Sequence, residues 1–421
     1  IFSLILILSS CSVGQKRASI PVAEDNNLIF YEIFTGSYAD SDADGIGDLK
    51  GITECADYLE DLGIEGIWLT PIFSSPSYHK YDIADYYEID PDFGDMDSLS
   101  DLLNEYHSRN IKVILDLPIN HTSSENPWFK EFISSHENGD TDSPYYDYYS
   151  YVLSEADEEN GHSYSRSDAA GLYYECNFDS GMPELNFDNE KVREQVLDIA
   201  GFYLDMGVDG FREDVINFIS KKEGLPDGLP FLPAINGMFA YKDGPHIHEY
   251  LAEFREVCNE YDCIQIGEGP LTTVKTALMY LTGKHRSLDM MISFDHMMAD
   301  CLFTEYIHHP FDLRKLKRAF SKWQYSLNGK AWNTLYLENH DHPRIISRYG
   351  SEKFHRESGT MLAVCYMFLQ GAPFIYQGQE IGMTNIRLRD IADYKDISSI
   401  TNFNRYHLND TLEQRMRRIY H

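Results

Sequence analysis

The sequence is short of positive charge. Its 421 residues carry 35 Lys and Arg against 68 Asp and Glu, a formal net charge of −33. A field of that sign repels phosphate, which argues against nucleic acid as a partner and against electrostatic adhesion to anionic membranes. Neutral substrates do not feel it, and bound cations are favoured. Cysteine is scarce too, at 7 residues. Cys55, Cys176, Cys258, Cys263, Cys301 and Cys365 form no Cys-x-x-Cys pair and no zinc-ligand spacing. They therefore predict neither a disulfide framework nor a zinc site. No apolar run is long enough to cross a bilayer, no repeat has a solenoid period, and no tract is of low complexity.

What is plentiful is aromatic: 14% of the chain, with 30 Tyr and 23 Phe. A large core accounts for much of that, and a site where sugar faces stack on rings is the sharper reading. The first ten residues, Ile1–Ser10, are apolar but too short for a membrane span, and suit the core of a secretory signal. Leu8-Ser9-Ser10-Cys11 resembles a bacterial lipoprotein processing site, with Cys11 as the lipidated residue and 12–27 as a polar tether. With no initiating Met or basic start, the leader reads as truncated. The expectation is an exported protein anchored at the cell envelope, with a secreted or cytoplasmic protein as the alternatives.

From residue 28 onward, short apolar β-type runs alternate with helical patterns. The runs are Leu28–Phe34, Gly66–Pro71, Lys112–Leu117, Gly207–Phe211, Cys263–Gly267, Met290–Phe294, Thr334–Leu337 and Pro373–Tyr376. Between them lie amphipathic stretches such as Lys191–Met206, whose Val192, Val196, Ile199, Tyr203 and Leu204 form one face. Eight such units predict an α/β fold, a (β/α)8 TIM barrel with its site at the C-terminal strand ends. Residues 122–184, between the third and fourth runs, are rich in Tyr, Asp and Ser and read as an inserted subdomain. The barrel then spans 28–121 and 185–421.

The chemistry lies where strands end. The third ends in Asp116-Leu-Pro-Ile-Asn120-His121, the fourth in Arg212-Glu213-Asp214, the fifth in Gly267-Glu268, and the seventh in Glu338-Asn339-His340-Asp341. A single strand-end carboxylate is usually a cap or an ion pair. Three of them, with two His and an Arg, converge on one funnel. Retaining glycoside cleavage needs two carboxyl groups about 5–5.5 Å apart, one attacking the anomeric carbon and the other protonating the leaving oxygen. An Arg two residues before the nucleophile keeps it ionised, and neutral His can bind sugar hydroxyls.

In these four segments the sequence resembles the α-amylase family, glycoside hydrolase family 13, over roughly residues 28–400. The resemblance implies Asp214 as nucleophile, Glu268 as acid/base and Asp341 as transition-state stabiliser. It implies that Tyr81, Asp82, His121, Arg212 and His340 line the subsite of the cleaved sugar, and that Asp116 and Asn120 are structural. It also implies a continuation into a C-terminal β-sandwich domain, so that the sequence, which stops at His421, reads as truncated there.

Asp40-Ser-Asp42-Ala-Asp44-Gly45-Ile46-Gly47-Asp48 carries alternating Asp with a central Gly, the chemistry of calcium. An EF-hand would need Glu where Gly51 stands, so that motif fails. The loop resembles a structural calcium site of α-glucosidases in this family, with Asp40, Asp42, Asp44 and Asp48 and the Ile46 carbonyl as ligands. No organic cofactor is expected, and a monomer is.

Asp214-Val215-Ile216-Asn217, Gly244–Tyr250 and Gln377–Met383 resemble the oligo-1,6-glucosidase and α-glucosidase branch, where Val after the nucleophile goes with α-1,6 bonds. Gly181–Asn186 is closer to α-amylases. The implied activity is release of glucose from short α-glucans or isomalto-oligosaccharides. An endo-acting α-amylase and a transglucosidase or sucrose-isomerase-type transferase remain alternatives. Glu213 stands where an apolar residue is usual, and would add repulsion if it faced the barrel mouth.

Overall fold

The computed structural model describes residues 27–153, 164–225, 241–302, 304–396, 399–400, 403–404 and 411–420. The apolar leader and Cys11 lie outside the described residues. Eight parallel strands form one sheet: β1 (Phe30–Ile33), β2 (Gly66–Leu69), β3 (Lys112–Leu117), β4 (Gly210–Glu213), β5 (Ile264–Glu268), β6 (Met290–Ile292), β7 (Thr334–Leu335) and β8 (Ala372–Tyr376). Their order is β6-β5-β4-β3-β2-β1-β8-β7. The seam between β6 and β7 has no backbone ladder; Thr334 Oγ1 donates to the Met291 carbonyl at 3.0 Å and Tyr336 OH to that of Ser293 at 2.9 Å. This is a nearly closed (β/α)8 barrel, the fold predicted from the alternating pattern.

Each predicted run holds a strand, and all but Lys112–Leu117 shift at an end by one to three residues. The fourth strand begins at Gly210 and not Gly207, because Gly207 takes a left-handed turn (φ 101°) that closes the preceding helix. The seventh is only Thr334–Leu335, the two residues that pair with Ala372 and Pro373 of β8.

Alternation along each strand sorts the side chains into two layers. Phe30, Trp68, Ile114, Ile264, Ile266, Met290, Ile292, Tyr336 and Phe374 fill the barrel interior. Tyr31, Ile33, Ile67, Leu69, Val113, Leu115, Leu117 and Phe211 face the surrounding helices. By the same period, Glu32, Asp116, Arg212 and Glu268 belong to the inner face, and Glu213 to the outer.

Four of the helices begin where short polar side chains satisfy their free N–H groups: Asp95 before Met96–Ser108, Asn189 before Glu190–Asp205, Thr273 before Val274–Leu281 and Asp312 before Leu313–Leu327. The predicted face of Glu190–Asp205 is buried at each of its five positions. Segment 122–184 holds the helix Pro127–Asn138 and a three-stranded antiparallel sheet of Tyr151–Val152, Tyr164–Ser167 and Leu172–Glu175. Phe129, Phe132, His136, Tyr149 and Tyr151 pack ring against ring between them. No helix among the described residues is long and apolar enough to cross a membrane.

Candidate active site

The inner-face residues at the C-terminal strand ends converge on Arg212. Its side chain is fully buried, and its Nη1 donates to Asp116 Oδ1 and Oδ2 at 2.8 and 3.0 Å and to Asp214 Oδ1 at 2.7 Å. Its Nη2 contacts Glu268 Oε2. One guanidinium, planar and always charged, thus ties together carboxylates from β3, β4 and β5. Trp68 and Tyr81 lie against it, at 5.2 and 5.7 Å from ring centroid to Cζ. Behind Glu268, Gly267 faces the outer layer, where a Cβ would meet Leu288 Cδ1 at 2.4 Å and Ile216 Cγ2 at 2.9 Å.

Asp116 is a hub beneath the carboxylates, accepting also from Tyr81 OH at 2.7 Å and Trp68 Nε1 at 3.2 Å. Burial pushes its carboxyl up to about 6 against the pull of Arg212. Asp341 stands apart: it is exposed at the rim, with its backbone N–H held by Asn339 and a carboxylate oxygen 3.3 Å from His340 Nε2. His121 is buried and kept neutral by burial, with Nδ1 facing Asn120 at 3.5 Å and no protein partner on Nε2 among the described residues. Asp82 is buried and accepts from Ser75 Oγ at 2.8 Å and from Ser77 Oγ. Tyr81 stacks on His340 with centroids 5.4 Å apart.

The structure therefore brings Asp214, Glu268, Arg212, Tyr81 and His340 into direct contact, with Asp341 on the rim and His121 and Asp82 on the flank. Two residues here were not anticipated from sequence. Glu32 on β1 accepts from His340 Nδ1 at 2.6 Å and from the His340 backbone N–H at 3.1 Å. The signal was a lone charge in the apolar run Phe30-Tyr-Glu-Ile33, on the inward register. His79, three residues before Asp82 and 3.9 Å from it, is held neutral by burial; its nearness to Tyr81-Asp82 was the available clue. The feared repulsion from Glu213 does not arise. Its side chain points outward, fully buried against the helices, and accepts from Gln265 Nε2 at 3.1 Å. Burial pushes it up to about 8.

Val215, directly after Asp214, adopts a left-handed conformation (φ 38°, ψ 39°) that a β-branched side chain rarely takes. It throws the chain from β4 into the turn Ile216–Phe218 and presents Asp214 at the mouth.

The family model for the α-amylase catalytic domain matches residues 32–416. The chain belongs to the α-amylase family. Among curated members, the oligo-1,6-glucosidase of Parageobacillus thermoglucosidasius is 42% identical over 386 residues, covering 88% of this chain and 68% of that protein. Among solved members, the trehalose-6-phosphate hydrolase of Bacillus licheniformis superposes with a TM-score of 0.82 at 39% identity, covering 89% of this chain and 69% of that one. The isomaltulose synthase from Klebsiella sp. LX3 superposes at 0.86 with 31% identity, covering 93% and 72%.

Two further polar clusters surround the family barrel's mouth. In the loop after β1, Asp40, Asp42 and Asp48 each offer a carboxylate oxygen, all within 4.8 Å of one another. Asp44 is not in that group; its Oδ1 accepts from the Ile46 N–H at 2.7 Å. Beneath segment 122–184, Lys221 Nζ pairs with Glu184 Oε2 at 2.9 Å and donates to Asn120 Oδ1 at 3.4 Å and to the Phe218 carbonyl at 3.1 Å.

Proposed function

We propose that this chain is a retaining α-glucosidase that releases glucose from short α-glucosides through a covalent glucosyl–Asp214 intermediate. Its class, an α-glucosidase-type glycosidase, follows from family membership and from relatives named oligo-1,6-glucosidase and α-glucosidase. In the first step Asp214 attacks the anomeric carbon while Glu268 gives its proton to the leaving oxygen. In the second, Glu268 takes a proton from water, which displaces the Asp214 ester. Asp341 faces the positive charge that develops on the ring, and Tyr81, Asp82, His121, Arg212 and His340 hold the sugar.

The observation that carries this reading is the placement of Asp214 and Glu268 side by side at the ends of paired parallel strands, where Gly267 lies opposite Glu213, with the buried Arg212 holding Asp214 at 2.7 Å. Neighbouring strands run about 4.8 Å apart, in keeping with the short spacing of a retaining pair. The unpartnered His121 Nε2 offers a hydrogen-bonding atom to a hydroxyl. Strained Val215 beside the nucleophile, read with the family's habit, favours α-1,6 bonds. Isomaltulose synthase as a structural neighbour keeps transfer to a sugar hydroxyl as the second reading.

Asp214→Ala is the direct test. It should lower hydrolysis of an aryl α-glucoside by about 10⁴-fold or more with the fold unchanged by circular dichroism; retained activity would sink the assignment. Glucose as sole product from isomaltose supports the α-1,6 exo reading, rapid loss of starch viscosity replaces it with endo action, and isomeric disaccharides from sucrose replace it with transfer.

Asp40, Asp42 and Asp48, with Asp44 and the Ile46 carbonyl, would hold a structural calcium remote from the reaction. The hard oxygen donors fit that ion, and the Gly45, Ala43, Asp42 and Asp44 N–H groups hold Asp40 below the ordinary carboxylate range. Export with a lipid on Cys11 is proposed on the leader's sequence alone.

A further inference from the structure

We propose that Glu32 is a positioning residue that holds His340 in its doubly protonated, cationic form within the sugar subsite. The proposal rests on reading this site as that of a glycosidase, and it adds a residue to which the family signatures assign no part.

Hydrogen-bond accounting carries it. His340 Nδ1 lies 2.6 Å from Glu32 Oε1, and that same oxygen accepts the His340 backbone N–H at 3.1 Å. A carboxylate oxygen taking two N–H bonds is an acceptor, so Nδ1 must carry a proton. On the other side of the ring, Nε2 lies 2.8 Å from Tyr81 OH. A phenol has one proton, and that of Tyr81 is already given to Asp116 Oδ2 at 2.7 Å. Tyr81 OH is left to accept, which requires a proton on Nε2 as well. The second nearby group, Asp341 Oδ2 at 3.3 Å, can only accept also. Both ring nitrogens therefore donate, and the ring is an imidazolium.

The charged and titratable groups facing the ring come from every wall of the site. Glu32 lies on β1, His79 and Tyr81 after β2, Asp116 at the end of β3 and Arg212 on β4, with Asp341 and His342 on the ring's own loop. Burial opposes a charge on His340, and Asp341 and Glu32 outweigh it, raising the ring to about 9. Arg212 and the two other histidines oppose the charge, and Glu32, itself 1% exposed, cannot be screened by water. Glu32 thus supplies a fixed counter-charge from below, which keeps Nε2–H the donor that holds Tyr81 OH in the subsite, whatever Asp341 does at the open rim.

The test is a titration of His340 by nuclear magnetic resonance of imidazole-labelled enzyme, its signal assigned by loss in His340→Gln. In the native enzyme the ring should be charged at pH 8. In Glu32→Gln it should be neutral there, and the alkaline limb of kcat/KM on an aryl α-glucoside should move down by about one to two pH units. A neutral His340 at pH 8 in the native enzyme overturns the proposal without any variant, as does an unchanged titration in Glu32→Gln. An enzyme that cleaves no α-glucoside speaks against the glycosidase reading, and the resonance titration still decides the role of Glu32.

Discussion

Lys221→Met removes a cation from a place where nothing can replace it. The ammonium sits between the barrel and segment 122–184, 2.9 Å from Glu184 Oε2, and both side chains are buried. Glu175 lies beside them, also fully buried, and burial and then the Glu184 charge push it up to about 8. Two carboxyl groups thus depend on one ammonium. Stripping one partner from a buried pair costs about 3–5 kcal/mol, because the remaining charge is neither solvated nor paired. At about 2.1 cal/mol/K per residue, a chain of this size unfolds with an entropy of roughly 0.9 kcal/mol/K, so the midpoint should fall by about 3–6 °C.

The pH dependence gives the sharper check. Without Lys221, Glu175 loses the cation that lowers it and is driven further toward its protonated form in the folded state, so the folded variant binds more protons than the unfolded chain. Its stability must then fall as pH rises. Calorimetry should show a larger deficit at pH 8 than at pH 5. Adding Glu184→Gln to Lys221→Met should recover part of the loss at pH 8. A deficit below about 1 kcal/mol at pH 8, or the same deficit at both pH values, refutes the account of this pair.

Glu213→Gln should stabilise the protein, most at higher pH. The folded-state carboxyl is raised from 4.5 to about 8, so the native enzyme loses stability as pH rises through that window. The gain should approach about 3 kcal/mol at pH 7 and be small near pH 4.5, read from urea midpoints at both values; equal midpoint shifts would contradict it. For the Asp40–Asp48 loop, a chelator should lower the melting temperature and excess calcium restore it, with Asp48→Asn or Asp40→Asn abolishing the response. A melting temperature indifferent to both chelator and calcium removes the proposed ion.

Much of the barrel was legible because its strands follow simple periods. Residues 112–117 were placed at their true ends, and the buried face of Glu190–Asp205 came from 3.6-residue spacing alone. The site was legible for a related reason. Asp214, Glu268 and Asp341 had to share a mouth once their strands were parallel members of one barrel. What stayed hidden depends on contacts between distant segments. Lys221 meets Glu184 and Asn120 across 37 and 101 positions, and no local pattern pairs them. Glu32 meets His340 across 308.

At Glu213 a local rule is enough. A strand that turns Arg212 inward must turn the next residue outward, so an acid between Arg and nucleophile could not point into the mouth. The same rule applied to β1 puts Glu32 on the inner face with Phe30, facing whatever the last strands bring across the barrel. A buried carboxylate there needs a partner bearing N–H groups, and the Asn339-His340-Asp341 turn is what β7 delivers. Period 2 thus narrows the roles of both acids before any contact is known. Outward, Glu213 finds an amide and is driven toward neutrality; inward, Glu32 finds an imidazole and fixes its charge.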